Sequence, residues 1–261
     1  MLLKLLALFV ATAVLVPIQW LLLALTHGPA SMVLPAVFHR MVCIVLGLRV
    51  EVHGAPVASP HAIFISNHLS YLDVPVIGSV LRACFVAKDE VRGWPLLGPL
   101  ARLQHTVFVS RNPRRAAAVS ASLGRALGLG HRLVLFPEGT TSDGSLVLPF
   151  KSSVFAVLAD PALAQVVLQP ITIELLTVDG QDIGRGGNRD GYAYYGDMQL
   201  LPHLLAFMRG TGARLRLTLH APVQQSAGMS RKSLAKLAHA RISQRVGFDD
   251  SQAAAAIPGI D

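Results

Sequence analysis

The stretch Ile63-Phe64-Ile65-Ser66-Asn67-His68-Leu69-Ser70-Tyr71-Leu72-Asp73 changes backbone regime part-way along. Ile63 to Ser66 is a short β-branched and aromatic run, the composition of a strand. A polar turn follows. A helix then begins near Ser70 or Asp73, because Ser70 with Asp73 resembles a capping box and Pro75 suits a first helical turn. A strand passing through a polar turn into a helix is the building unit of α/β domains, which gather their sites at such turns.

On one continuous helix His68 and Asp73 would point about 140° apart. With His68 in the turn and Asp73 in the first helical turn, the carboxylate can reach back to the imidazole. It would fix the tautomer and stabilise the imidazolium, leaving the other ring nitrogen free to take a proton. That is a general-base dyad without its own nucleophile. The plainer reading makes Asp73 only a helix cap.

Outward from this unit the alternation continues. Arg49–Val52, Ala62–Ser66, Ala83–Ala87, Thr106–Ser110, Arg132–Phe136 and Val166–Ile173 read as strands. Arg214–His220 alternates, with Leu215, Leu217 and Leu219 on one face. Tyr71–Leu81, Pro113–Leu129, Ser152–Ala159 and Leu200–Met208 read as helices, and Ser230–Val246 as a basic surface helix packed on the sheet. The expectation is an α/β domain over 49–248, with a mixed, largely parallel sheet flanked by helices, and a frayed tail over 249–261.

The first 48 residues differ. Leu5 to Leu25 carries no charge and is long enough to cross a bilayer. It exceeds the apolar core of a cleaved signal peptide, and Thr26-His27-Gly28-Pro29 reads as a helix stop. A second apolar stretch, Met32 to Leu48, holds His39 and Arg40 at its middle, where a charge is costly in lipid. Segment 1–48 is therefore expected to be an uncleaved membrane anchor, spanning or dipping into one leaflet.

Composition agrees. Of 261 residues, 52% are hydrophobic and 15% charged, with net charge +8, against about 25% charged in a typical soluble domain. This excludes a disordered chain and points to a protein that meets lipid. The basic balance calls for an anionic partner, and no Asp or Glu occurs from Val91 to Pro137. Aromatics at 6% without a basic-aromatic groove argue against nucleic acid. Cys43 and Cys84 make no disulfide framework, and no CxxC or HExxH pattern suggests a metal.

Two further segments carry chemistry. Leu135-Phe136-Pro137-Glu138-Gly139-Thr140-Thr141-Ser142-Asp143-Gly144 runs a strand into a glycine-bearing loop, whose amides can hold an anion or a developing oxyanion. An ordinary turn is the plainer reading. Thr106-Val107-Phe108-Val109-Ser110-Arg111 delivers an arginine to a strand end, where its fork suits phosphate or carboxylate.

Together these segments resemble the glycerolipid acyltransferase family, typified by 1-acylglycerol-3-phosphate acyltransferase. Asn67-His68 through Asp73 matches its NHxxxxD block. Arg111, preceded by Lys88 and Gly93-Trp94-Pro95-Leu96-Leu97-Gly98, is similar to its second block, and Phe136-Pro137-Glu138-Gly139-Thr140 matches the third. Val167-Leu168-Gln169-Pro170-Ile171 looks like the fourth. The likeness runs in the family's order from Val50 to Thr177. Thr141 departs from it, standing where many relatives have arginine. Phe136–Gly144 with Val147-Leu148-Pro149-Phe150-Lys151-Ser152, and later Tyr192–Asp197 and Pro202-His203-Leu204, are similar to the bacterial branch that acylates lyso-ornithine lipid.

The resemblance implies a membrane-bound O-acyltransferase that carries a fatty acyl group from acyl-CoA or acyl carrier protein to a lysolipid hydroxyl, without a further cofactor or a metal. His68 would be the base and Asp73 its orienting partner. Arg111 would hold the acceptor's anionic headgroup. Glu138, Gly139, Thr140 and Lys88 would also serve substrate binding, with amides near Gly139 and Thr140 for the oxyanion. The implied acceptor is 1-acylglycerol-3-phosphate first, giving phosphatidic acid, and lyso-ornithine lipid second. The implied place is the bacterial inner membrane, with the site facing the cytoplasm and an anionic membrane surface as partner. Two rival readings weaken on the residues. A serine hydrolase would want a G-x-S-x-G elbow, which is absent. A non-catalytic basic membrane-tethered scaffold leaves four ordered blocks without a purpose.

Overall fold

A computed structural model describes residues 1–26, 28–110, 116–159, 165–184, 187–223, 230–244 and 246. The strands are β1 (Leu48–His53), β2 (Ala62–Ser66), β3 (Cys84–Lys88), β4 (Val107–Val109), β5 (Leu133–Leu135), β6 (Val167–Val178), β7 (Gln181–Asp182) and β8 (Ala213–Leu219). The helices are α1 (Leu2–Leu25), α2 (Val33–Leu46), α3 (Asp73–Val80), α4 (Leu97–Leu103), α5 (Ala116–Gly128), α6 (Leu200–Arg209) and α7 (Arg231–Ser243). The order across the sheet is β1-β8-β6-β2-β5-β3-β4, with β7 paired to β6. From β6 through β4 every neighbouring pair is parallel, while β8 runs antiparallel to β6 and carries β1 with it. The sheet is mixed and largely parallel.

β2 sits inside this sheet, and all five of its residues are buried. Its side chains alternate between two cores, as a strand covered on both faces requires. Ala62 and Phe64 join Val134 and the α2–α3 side, with Cys43, Leu46, Leu72 and Val76. Ile63 and Ile65 join Leu133, Leu135 and the α5–α7 side, with Leu123, Leu127, Leu234 and Ala238. The parallel strands β2, β5, β3 and β4 therefore open their loops at one carboxyl edge, where the catalytic segments were expected.

Several elements differ from the expectation. Ser152–Ala159 is a 3-10 helix rather than an α-helix. β6 continues to Val178 because Glu174 pairs across the ladder with Arg216 instead of ending the strand. The expected helix over Pro113–Leu129 is seen as α5, and Pro113 lies outside the described residues, as does the tail 249–261.

Both N-terminal helices are long and apolar enough to cross a membrane. Leu2–Leu25 has mean hydropathy 2.3 and is 11% buried; Gly28–Leu46 has mean hydropathy 1.7 and is 39% buried. α1 exposes Leu2, Leu3, Leu6, Phe9, Val10, Val14 and Leu21, an apolar face that marks a membrane-associating surface. α2 is different: its Cys43 and Leu46, with Met32 just before it, belong to the domain's own cores. His39 and Arg40 are thereby explained. Buried His39 bonds Gln104 Oε1 through Nε2 at 2.7 Å, and Arg40 Nε donates to Ser79 O at 2.9 Å. His39 faces protein, and exposed Arg40 is drawn back onto the α3 end by that bond. α1 is tied down by Lys4 Nζ to Gly210 O, 2.9 Å, and by Gln19 Nε2 to Ser31 O and Leu103 O at 2.9 and 2.8 Å.

Candidate active site

The turn after β2 is held open by a clamp on the neighbouring strand. Asn67 donates from Nδ2 to Ile173 O at 2.9 Å and accepts at Oδ1 from Ile173 N–H at 2.8 Å. An amide side chain can do both at once, so it replaces a strand pairing just where β2 ends. His68 follows, with 20% of its side chain exposed, and Asp73 opens α3 fully buried.

His68 Nδ1 lies 2.8 Å from Asp73 Oδ2. The same oxygen accepts from the backbone N–H groups of Leu69 and Ser70 at 2.7 and 3.0 Å. Half of the expected capping box is therefore present: Asp73 reaches the Ser70 amide, while Ser70 Oγ accepts from Leu72 N–H at 3.3 Å. Cap and dyad are one carboxylate. The buried charge is satisfied by amides and by His68, as burial demands. With Nδ1 engaged, Nε2 is the nitrogen left to face a substrate hydroxyl.

Asp73 has a further partner. Its Oδ1 accepts from the Tyr192 hydroxyl at 2.8 Å, and Tyr192 is fully buried. Burial and the neighbouring carboxylate push the Tyr192 pKa upward, so it stays a neutral donor.

The loop after β5 builds the other wall. The Phe136 ring is stacked on the His68 imidazole, centroids 3.9 Å apart and planes 16° apart. Glu138 is buried, and its Oε1 accepts from the His68 backbone N–H at 2.9 Å while Oε2 accepts from Leu148 N–H at 3.1 Å. Burial pushes the Glu138 pKa up to about 7, against the pull of those two amides. Ser142 N–H donates to His68 O at 3.0 Å, and Tyr194 N–H to Leu69 O at 2.9 Å. Both backbone groups of His68 are thus held by the 136–142 loop, and its ring by Asp73 and Phe136.

A family model described as Acyltransferase matches residues 49–174. The chain is 38% identical over 241 residues to the lyso-ornithine lipid O-acyltransferase of Rhizobium meliloti, covering 90% of this chain and 82% of that protein. The chain belongs to the acyltransferase family. To the 1-acyl-sn-glycerol-3-phosphate acyltransferase of Neisseria meningitidis it is 33% identical over 123 residues, covering 46% of this chain and 48% of that protein. The crystal structure of the 1-acyl-sn-glycerophosphate acyltransferase PlsC from Thermotoga maritima shares the fold, with TM-score 0.66, 21% identity and coverage of 99% and 97% of the two chains.

His68, Asp73 and Glu138 are brought into direct contact. Lys88 closes β3, the strand beside β5, and so sits at the same sheet edge. Arg111 lies outside the described residues. Thr140 is exposed on the loop. Gly139 corrects the oxyanion expectation: its N–H donates to Phe136 O at 3.1 Å across the turn and is committed there. Tyr192, the Phe136 stack and the Asn67 clamp join segments that lie far apart in the chain, beyond the reach of local spacing. Only the aromatic run Tyr192-Ala193-Tyr194-Tyr195 hinted at the first.

Proposed function

We propose that this acyltransferase moves a fatty acyl group from acyl-CoA or acyl carrier protein to the hydroxyl of a lysolipid at the bacterial inner membrane, from the cytoplasmic side. The observation that carries the reading is the His68–Asp73 pair, 2.8 Å apart at the sheet's carboxyl edge, with no partner for Nε2 among the described residues. His68 Nε2 takes the proton of the acceptor hydroxyl as its oxygen attacks the thioester carbonyl carbon. The tetrahedral intermediate collapses, the C–S bond breaks, and the imidazolium returns the proton to the leaving thiolate. Asp73 stabilises the imidazolium meanwhile.

A positioned base supplies about 10²–10⁴-fold, and an oxyanion donor about 10²–10³ more. The Thr140 side of the loop is the remaining place for that donor. Holding two amphiphiles in one site supplies the rest. The thioester is already activated, so the reaction needs no cofactor beyond its two substrates. Arg111 takes the acceptor's anionic headgroup, helped by Lys88 at the end of β3, and the chain's net positive charge favours an anionic membrane surface.

Lysophosphatidate leads as the acceptor because a phosphomonoester, close to two negative charges near neutral pH, suits Arg111 and the acid-free 91–137 stretch. Lyso-ornithine lipid is the second reading. It is favoured by the extent of the likeness to the Rhizobium meliloti protein, 82% of that protein's length, and by Thr141. The deciding assay offers both lysolipids to the purified protein with one acyl thioester. Product from lyso-ornithine lipid alone would reverse the order, and product from neither would refute the reading.

A further inference from the structure

Lys151 lies across Gly139, at the turn that carries Glu138. A Cβ on Gly139 would stand 2.6 Å from Lys151 Nζ and 3.2 Å from its Cδ and Cε. Gly139 also holds φ at +68°, in the left-handed region where a side chain is strained. The residue that makes the turn possible is therefore the one that leaves room for the ammonium. The lysine is anchored from the same turn: its N–H donates to Pro137 O at 2.9 Å, and its C=O accepts from Val154 N–H at 3.0 Å.

The charge on this loop is poorly matched internally. From Phe136 to Lys151 the only basic residue is Lys151. Glu138 turns its two oxygens to the amides of His68 and Leu148, and Asp143 turns to Ser145. Among the described residues no carboxylate pairs with Lys151. Gly139 adjoins Glu138, which bonds the His68 amide, and follows Phe136, on which the imidazole is stacked. An exposed ammonium with no carboxylate partner among the described residues thus lies on the loop that builds the base, and Thr141 supplies no cation there.

We infer that Lys151 is the residue of this loop that takes the anionic group of the acceptor headgroup, phosphate or carboxylate, with its ammonium in the place that Gly139 leaves open. The inference rests on the lysolipid reading above. An ammonium on a flexible stem acts as a compact point charge and suits a rounded anion. The same chemistry could come from the phosphates of acyl-CoA, so donor and acceptor must be varied separately.

The test uses the full-length protein, wild type against Lys151→Gln, Lys151→Arg and Gly139→Ala, each checked for folding by thermal melting. Acyl-CoA is varied at fixed lysolipid, then each lysolipid at fixed acyl-CoA. Lys151→Gln should raise the acceptor KM by about tenfold or more with kcat little changed and the acyl-CoA KM unmoved, the loss of one charge-assisted contact. Lys151→Arg should restore most of the affinity. Gly139→Ala, by displacing the ammonium, should also raise the acceptor KM. An unchanged acceptor KM in a wild-type-like Lys151→Gln protein overturns the inference and leaves the function standing, and so does a rise confined to the acyl-CoA KM. A wild-type protein that acylates neither lysolipid overturns both.

Discussion

Tyr192 donates to Asp73 Oδ1 at 2.8 Å from a fully buried hydroxyl, while Oδ2 of the same carboxylate holds His68 Nδ1 at 2.8 Å. The base is therefore the end of a chain Tyr192–Asp73–His68: a buried hydroxyl fixes one carboxylate oxygen, and the other holds the partly exposed imidazole. Chains of this kind set both the geometry and the basicity of the terminal group.

Removing only the hydroxyl, as Tyr192→Phe, keeps the packing and leaves Oδ1 unsatisfied. The fold should lose about 1–3 kcal/mol. With Oδ1 released, Asp73 orients the imidazole less firmly, and kcat should fall several-fold with KM little changed. A kcat equal to wild type in the folded variant would show Tyr192 to be packing alone.

Glu138 makes a pH-dependent contribution to stability. Burial raises its folded pKa from 4.5 to about 7. Its contribution is fully present below the ordinary value and is lost as pH rises through about 7, when the buried carboxyl must ionise. Linkage puts the full loss on the order of 3 kcal/mol. Thermal melts between pH 5 and 9 should therefore decline more steeply in wild type than in Glu138→Gln. Gln cannot ionise, though it loses one of the two amide contacts. Parallel curves would contradict the buried-acid account.

The two N-terminal helices should respond differently to truncation. Deleting 1–25 removes the exposed apolar face of α1 and three side-chain tethers. The product should fold and partition less into membranes. Deleting 1–48 also removes Met32, Cys43 and Leu46 from the cores. Cavities of that size cost several kcal/mol each, so this product should be insoluble. Membrane fractionation of both truncations checks the distinction. A soluble, active 49–261 fragment would count against it.

What could be read from the sequence was local. The dyad spans five positions around one turn, and the periodicity of the runs located β1 to β6 and β8. The hydrogen bond between Tyr192 and Asp73 joins residues 119 positions apart, and no spacing rule reaches that far. α4 was hidden because Gly98 and Pro99 break the helical pattern. α2 was ambiguous for a different reason: it is apolar nearly all round. Only the partners of His39 and Arg40 separate its protein face from a lipid face. The close approach of Lys151 to Gly139 likewise needs the loop folded back on itself before it exists.

The most direct test of the account is the acyl-transfer rate of His68→Gln, purified and shown by melting to be folded, with lysolipid and acyl-CoA saturating. Gln keeps most of the volume and cannot accept the hydroxyl proton. The account predicts a fall of about 10²–10⁴-fold in kcat. A rate within about tenfold of wild type would contradict it, because the proton would then leave the acceptor without His68.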